Sequence, residues 1–184
     1  MRGLWVGWIL AVPLAAAPAL HTVSACVEGA QVDLRTLQKA LWIARDLYRE
    51  IAVQIQWRCP ADPREGDVHI GFLKANQGRQ GKSAVAYAMP YEGRTIRIFA
   101  DHINRYQEHL RGDLLGHIIA HEVGHLLQGI DRHAEQGLMK ATWDEDDHHL
   151  IRVRKLKFTT VDAELIHRGL GVRHSAHAGR VTKP

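Results

Sequence analysis

Between His117 and Trp143 the chain reads HIIAHEVGHLLQGIDRHAEQGLMKATW, and no other stretch limits the fold as strongly. His121 and His125 are four residues apart with Glu122 beside the first. On a helix this spacing brings both rings out of one face, about 5–6 Å apart at the backbone. One metal ion is then within reach of both. Glu122 can approach a water on such an ion without ligating it, so the H-E-x-x-H arrangement supplies two nitrogen ligands and a general base on one rigid element. Leu114, Leu115, Ile118, Ile119, Val123, Leu126 and Leu127 recur at helical spacing around the motif, which demands a core packed against its other face. The pattern predicts a helix that starts at Asp113 and stops at Gly129.

A catalytic zinc site takes three protein ligands and keeps one position for water. His133, Asp131 and an acid of the next segment such as Glu145 are all placed to be the third. Because Gly129 sets the turn, the chain returning after it favours His133, with Asp131 as the alternative. His117 lies one turn before His121, and pairing those two would put Ile118 where the base belongs. It therefore reads as a supporting or surface histidine. His148 and His149 read as solvent-facing helix residues, and His167, His174 and His177 fall near or in the tail.

The run HEVGHLLQGIDRH followed by GLM resembles the metzincin clan of zinc metallopeptidases. That resemblance implies an α+β zincin-like domain: a mixed, mostly parallel sheet with a backing helix and an active-site helix, and a small C-terminal helical part. It implies one catalytic Zn2+ ion, a tight turn at Met139 beneath it, and peptide-bond hydrolysis with Glu122 as base. The clan's consensus is H-E-x-x-H-x-x-G-x-x-H. Here Gly129 comes one residue late and His133 two, while Asp131 stands at the consensus position; the longer spacing is similar to that of small exported bacterial relatives. The tyrosine that often follows the methionine is missing from MKATW. In related folds an edge strand pairs with an extended substrate, and Ser83 to Met89 matches it, with Ala84, Val85, Ala86 and Tyr87 as the contacts. The alternative function is a zinc-binding module of this type without turnover.

The rest of the chain supports a single domain over 26–170, followed by a polar tail over 171–184. Short strands are predicted at TVSACV, VQIQW, VHIGF, AVAYAM and TIRIFA, from alternating apolar residues. Lys74 to Ser83 reads as a loop, and Pro90 to Gly93 as a turn. Asp33 is placed to cap a helix with the stripe Leu34, Leu37, Leu41, Ala44 and Leu47. Asp144 is placed to cap another, and Thr159 with Asp162 has capping-box spacing ahead of a short helix stopped by Gly169. The formal charge is +4, with basic and acidic residues interleaved along the chain. That distribution argues against a nucleic-acid partner, and a monomer acting on peptide or protein is expected.

The first 25 residues have the layout of a secretory leader: Arg2, an apolar run from Leu4, then small residues, with cleavage after Ala19 or Ala25. The run is shorter than the ~20 residues a membrane-spanning helix needs. A secreted or periplasmic protein without a membrane span is expected. VSAC also resembles a lipobox, which would make Cys26 a lipid anchor. The chain has two cysteines, and in an exported protein a Cys26–Cys59 disulfide is the competing use of the first.

Overall fold

The computed structural model describes residues 20–59, 68–73, 85–88 and 94–181, with side chains as far as 173. The leader up to Ala19, the Lys74–Ser83 loop, Ala84 and the Pro90–Gly93 turn lie outside the described residues.

Five strands form one sheet: β1 (His21–Glu28), β2 (Val53–Trp57), β3 (Val68–Leu73), β4 (Ala86–Ala88) and β5 (Thr95–Phe99), in the order β2-β1-β3-β5-β4. Four of them run parallel and β4 closes one edge antiparallel to β5. Parallel neighbours need a crossover, and α1 (Leu34–Glu50) supplies the one between β1 and β2. Val23, Ala25, Val53, Ile55, Val68, Ile70, Ile96 and Ile98 alternate along the strands and are all buried against the helices. The expected α+β class, with its mixed and mostly parallel sheet, is the one observed.

Asp33 caps α1 by accepting a hydrogen bond from the Thr36 N–H at 2.9 Å. The buried stripe of α1 is rotated from the expected one: Ala40, Ile43, Ala44, Leu47 and Tyr48 face the core, while Leu34 is 67% exposed. The reason is the neighbouring helix α3 (Glu108–Gln128). A Cβ on its Gly116 would stand 2.9 Å from the Ala40 carbonyl oxygen, so the two backbones meet where both side chains are smallest. Tyr48 then reaches across to donate its hydroxyl to the Ala120 carbonyl at 2.8 Å.

Helix α3 begins five residues earlier than expected, at Glu108, after a short helix α2 (Ala100–Asn104) that the apolar pattern does not reveal. Asp113 is no cap. Its carboxylate is buried inside the helix and pairs with Lys39 of α1 at 2.5 Å and with Arg154 at 3.6 Å. The helix stops at Gly129, whose φ of 71° is the left-handed geometry that favours glycine. From Gly112 to Gln128 every residue of α3 is buried. The sheet and α1 cover one side, and the C-terminal segments cover the other.

Those segments are α4 (Glu145–Arg152) and α5 (Thr160–Val181). Asp144 and Asp147 form a capping box on α4, and Thr159 with Asp162 does the same ahead of α5. Helix α5 does not stop at Gly169 but continues to Val181, so residues 171–181 are helical. Gly169 serves packing: a Cβ there would collide with the Leu127 carbonyl of α3. Cys26 and Cys59 are joined in a disulfide that ties strand β1 to the chain leaving β2. With its sulfur so engaged, Cys26 has none to offer a lipid. Among the described residues no helix is long and apolar enough to cross a membrane.

Candidate metal centre

Helix α3 brings the His121 and His125 rings together, with their Nε2 atoms 3.0 Å apart. Beyond Gly129 the chain turns back, and His133 closes the group, its ring centroid 5.5 Å from that of His121 and 4.8 Å from that of His125. One ring nitrogen from each of the three lies within 4.8 Å of the others. Tetrahedral nitrogen ligands at about 2.0–2.1 Å from zinc stand about 3.3 Å apart, so the three need only small adjustments to share an ion. His121 and His125 are buried and His133 is exposed, so the group opens to solvent on one side.

The second nitrogen of His121 settles how the first is presented. Nδ1 lies 2.8 Å from the Leu138 carbonyl oxygen. An N–H donated there leaves the Nε2 lone pair free to face His125 and His133. Burial first, then the neighbouring His125, lowers the His121 pKa to about 4. Burial likewise lowers that of His125. Neutral imidazoles that converge without protons are a fit donor set for zinc.

Leu138 and Met139 belong to a tight turn that Gly137 makes possible with a φ of 78°. The turn is pinned from both sides: Ala134 N–H donates to the Met139 carbonyl and Leu138 N–H to the Lys157 carbonyl, both at 2.8 Å. Met139 is fully buried. A Cβ on Gly124 would stand 2.7 Å from its sulfur. The glycine between the motif's glutamate and second histidine is thus the space into which Met139 fits.

Glu122 is buried beside the group. Burial pushes its carboxyl up to about 8, an effect opposed by the Ala88 backbone N–H that hydrogen-bonds it and reinforced by the Asp131 charge. Edge strand β4 thus lines the same cleft as Glu122. Asp131 is exposed on the rim of the same cleft, and its carboxylate is not among the three converging donors. The cleft is about 560 Å³ and is lined by Val85, Ala86, Tyr87 and Ala88 on one side. Trp143, Lys140 and His148 line the other.

Four features of this site carry no motif in the sequence. Trp143 sets its ring edge-on to His121, with centroids 5.8 Å apart, and its indole N–H points to the same Leu138 carbonyl at 3.3 Å. His148 is half-buried on the cleft wall near Tyr106 rather than facing solvent. The Ala88 N–H and the Leu138 carbonyl are backbone groups that any residue would supply. Gly124 alone left a signal, as a glycine inside a helix. His117 is fully buried rather than at the surface, and its Nδ1 lies 2.7 Å from the Asp113 carbonyl. His117 is not part of the converging group. His167 bonds the Ile51 carbonyl at 2.7 Å.

The fold is that of the archaemetzincins. The crystal structure of archaemetzincin from Methanopyrus kandleri superposes with a TM-score of 0.59 at 14% identity, covering 86% of this chain and 99% of that one. Archaemetzincin from Archaeoglobus fulgidus, solved in complex with malonate, gives 0.52 at 12% identity, covering 78% and 99%. No protein-family model matches the sequence. No curated protein matches it either. At these identities the likeness is one of fold, and the chemistry has to be argued from the residues themselves.

Proposed function

We propose that the protein is a zinc-dependent metallopeptidase that hydrolyses peptide bonds. The convergence of the His121, His125 and His133 nitrogens beside a buried Glu122 carries this reading. These three histidines would hold the ion, with Met139 packed below them. When bound, zinc supplies Lewis acidity that polarises a carbonyl and lowers the pKa of a water toward ~7. Glu122 accepts the proton of the attacking water and hands it to the departing amine. Hydrogen bonding to the Ala88 N–H would steady its carboxylate. Strand β4 pairs with β5 along one edge only. Val85 turns its carbonyl to Phe99 of β5, so on the other edge Ala86 is the residue that would offer backbone groups to an extended peptide, which would lie over Glu122.

The protein is read as exported, and the leader as ending at Ala19. His21–Ala25 pairs residue by residue with Val53–Trp57, and Ala25–Glu28 pairs with Val68–Gly71. Removal of residues through Ala25 would leave β2 and β3 with a gap between them.

Metal content of the purified chain, measured by mass spectrometry beside His133→Ala and Asp131→Ala, tests the site. One zinc per chain, kept in Asp131→Ala and lost in His133→Ala, is expected. Peptide-library hydrolysis by the zinc-loaded chain, falling by about 10²–10⁴ in Glu122→Gln at unchanged zinc content, tests the reaction. A chain that keeps zinc but hydrolyses nothing, with or without Glu122, is a binding module instead.

A further inference from the structure

A second set of metal-binding side chains lies on the opposite face of the sheet. Cys26 and Glu28 are two residues apart on β1, and His69 is the strand partner of Cys26 on β3. All three point away from the apolar side that Ala25, Val68 and Ile70 present to the helices. The Cys26 sulfur, a Glu28 carboxylate oxygen and a His69 ring nitrogen lie within 4.8 Å of one another. Cys59 adds a fourth donor, since its sulfur is bonded to that of Cys26.

We propose that reduction of the Cys26–Cys59 disulfide converts this cluster into a zinc site with two thiolates, one imidazole and one carboxylate as ligands. Cys59 is exposed and Cys26 is buried, so an external dithiol attacks the Cys59 sulfur. The S–S bond breaks, Cys26 leaves as a thiolate, and the dithiol's second sulfur then displaces Cys59 as it closes its own disulfide. Two electrons pass to the protein and two thiols result, whose protons are released when a metal binds.

Two physical arguments favour an ion there over free thiols. Sulfurs at about 2.3 Å from a tetrahedral zinc stand about 3.8 Å apart, close to the contact distance of two unbonded sulfurs. Glu28, 3.5 Å from the Cys26 sulfur, opposes a thiolate by like charge. A divalent cation turns the same carboxylate into a ligand. The donor set, half thiolate, is of the kind zinc prefers over magnesium or calcium. In the reduced state the ion would link β1, β3 and the end of β2, where the disulfide links β1 and β2 in the oxidised one.

The test is a cobalt(II) titration of the full chain, reduced with a phosphine and freed of it under argon. The three histidines of the α3 site contain no sulfur, so a thiolate-to-cobalt charge-transfer band reports this cluster alone. A band that saturates with one cobalt per chain beyond the one taken up by the three histidines is expected after reduction, absent from the oxidised chain and from Cys59→Ser. His69→Ala should weaken binding at least about tenfold. A reduced chain that stays folded by circular dichroism yet shows no band overturns the proposal, as does a band of unchanged strength in Cys59→Ser. Should reduction unfold the chain, cobalt is expected to refold it with the band present, and failure to do so overturns the proposal equally.

Discussion

The Nδ1 of His121 and the carbonyl oxygen of Leu138 stand 2.8 Å apart, so the turn at Gly137–Met139 decides which nitrogen of the first motif histidine faces the cleft. Gly137→Ala disturbs that turn twice. Its φ of 78° disfavours a side chain, and the new Cβ would stand 2.9 Å from the Lys157 carbonyl oxygen. The left-handed geometry alone costs about 1–2 kcal/mol. Zinc affinity, measured by competition with a chromophoric chelator, should fall by about tenfold or more, because the group that fixes the ring is displaced. Unchanged affinity would mean that the turn does not orient His121.

Two glycines of α5 should respond with opposite signs. Gly169→Ala drives a methyl into the Leu127 carbonyl, whereas a Cβ at Gly171 meets nothing within 4 Å. Overpacking at the first is expected to cost about 1–3 kcal/mol. Alanine at the second should stabilise by up to about 1 kcal/mol, from helix propensity. Urea unfolding of the two variants measures both.

The ion pair at the start of α4 sets an acid-sensitive step. Hydrogen bonding to Lys140 first, and to the Asp147 backbone next, lowers the Asp144 pKa from 3.8 to about 2. A carboxyl held below its unfolded value stabilises the fold above pH ~4. That contribution is lost as the pH falls through about 2. Asp144→Asn keeps an acceptor for the cap but removes the charge. Its stability should therefore vary less with pH between about 4 and 2 than that of the parent chain, as followed by thermal melts.

The mature N-terminus should fall at Leu20, by intact mass of protein recovered after export. A chain shortened to begin at Cys26 should fail to fold, judged by circular dichroism, since β1 would lose its pairing to β2. A folded product starting at Cys26 would contradict the role given to that strand.

Local signals were readable in the sequence and long-range ones were not. The caps at Asp33, Asp144 and Thr159 depend on neighbours three residues away, and the structure has all three where the sequence puts them. Asp113 marks the helix start in the sequence because its partner, Lys39, lies 74 residues earlier. Gly169 read as a stop because a glycine in a helix looks the same whether it ends the helix or lets another approach. The stripe on α1 was misplaced for a related reason: Ala40 contributes little hydrophobic signal, yet it sits where α3 comes closest. The zincin-like fold was legible from one motif and its turn. The groups that orient Glu122 and His121 were not, since both are backbone atoms.

Every residue of helix α3 from Gly112 to Gln128 is buried. A surface helix has a face on which mutations accumulate freely, and this one has none. Random substitution along it should give a nearly uniform deficit in folded protein, in which the residues proposed to hold a metal and residues that fill space look alike. Abundance by itself would hide the chemistry. Only variants sorted by both yield and bound metal would separate His121 and His125 from the leucines beside them.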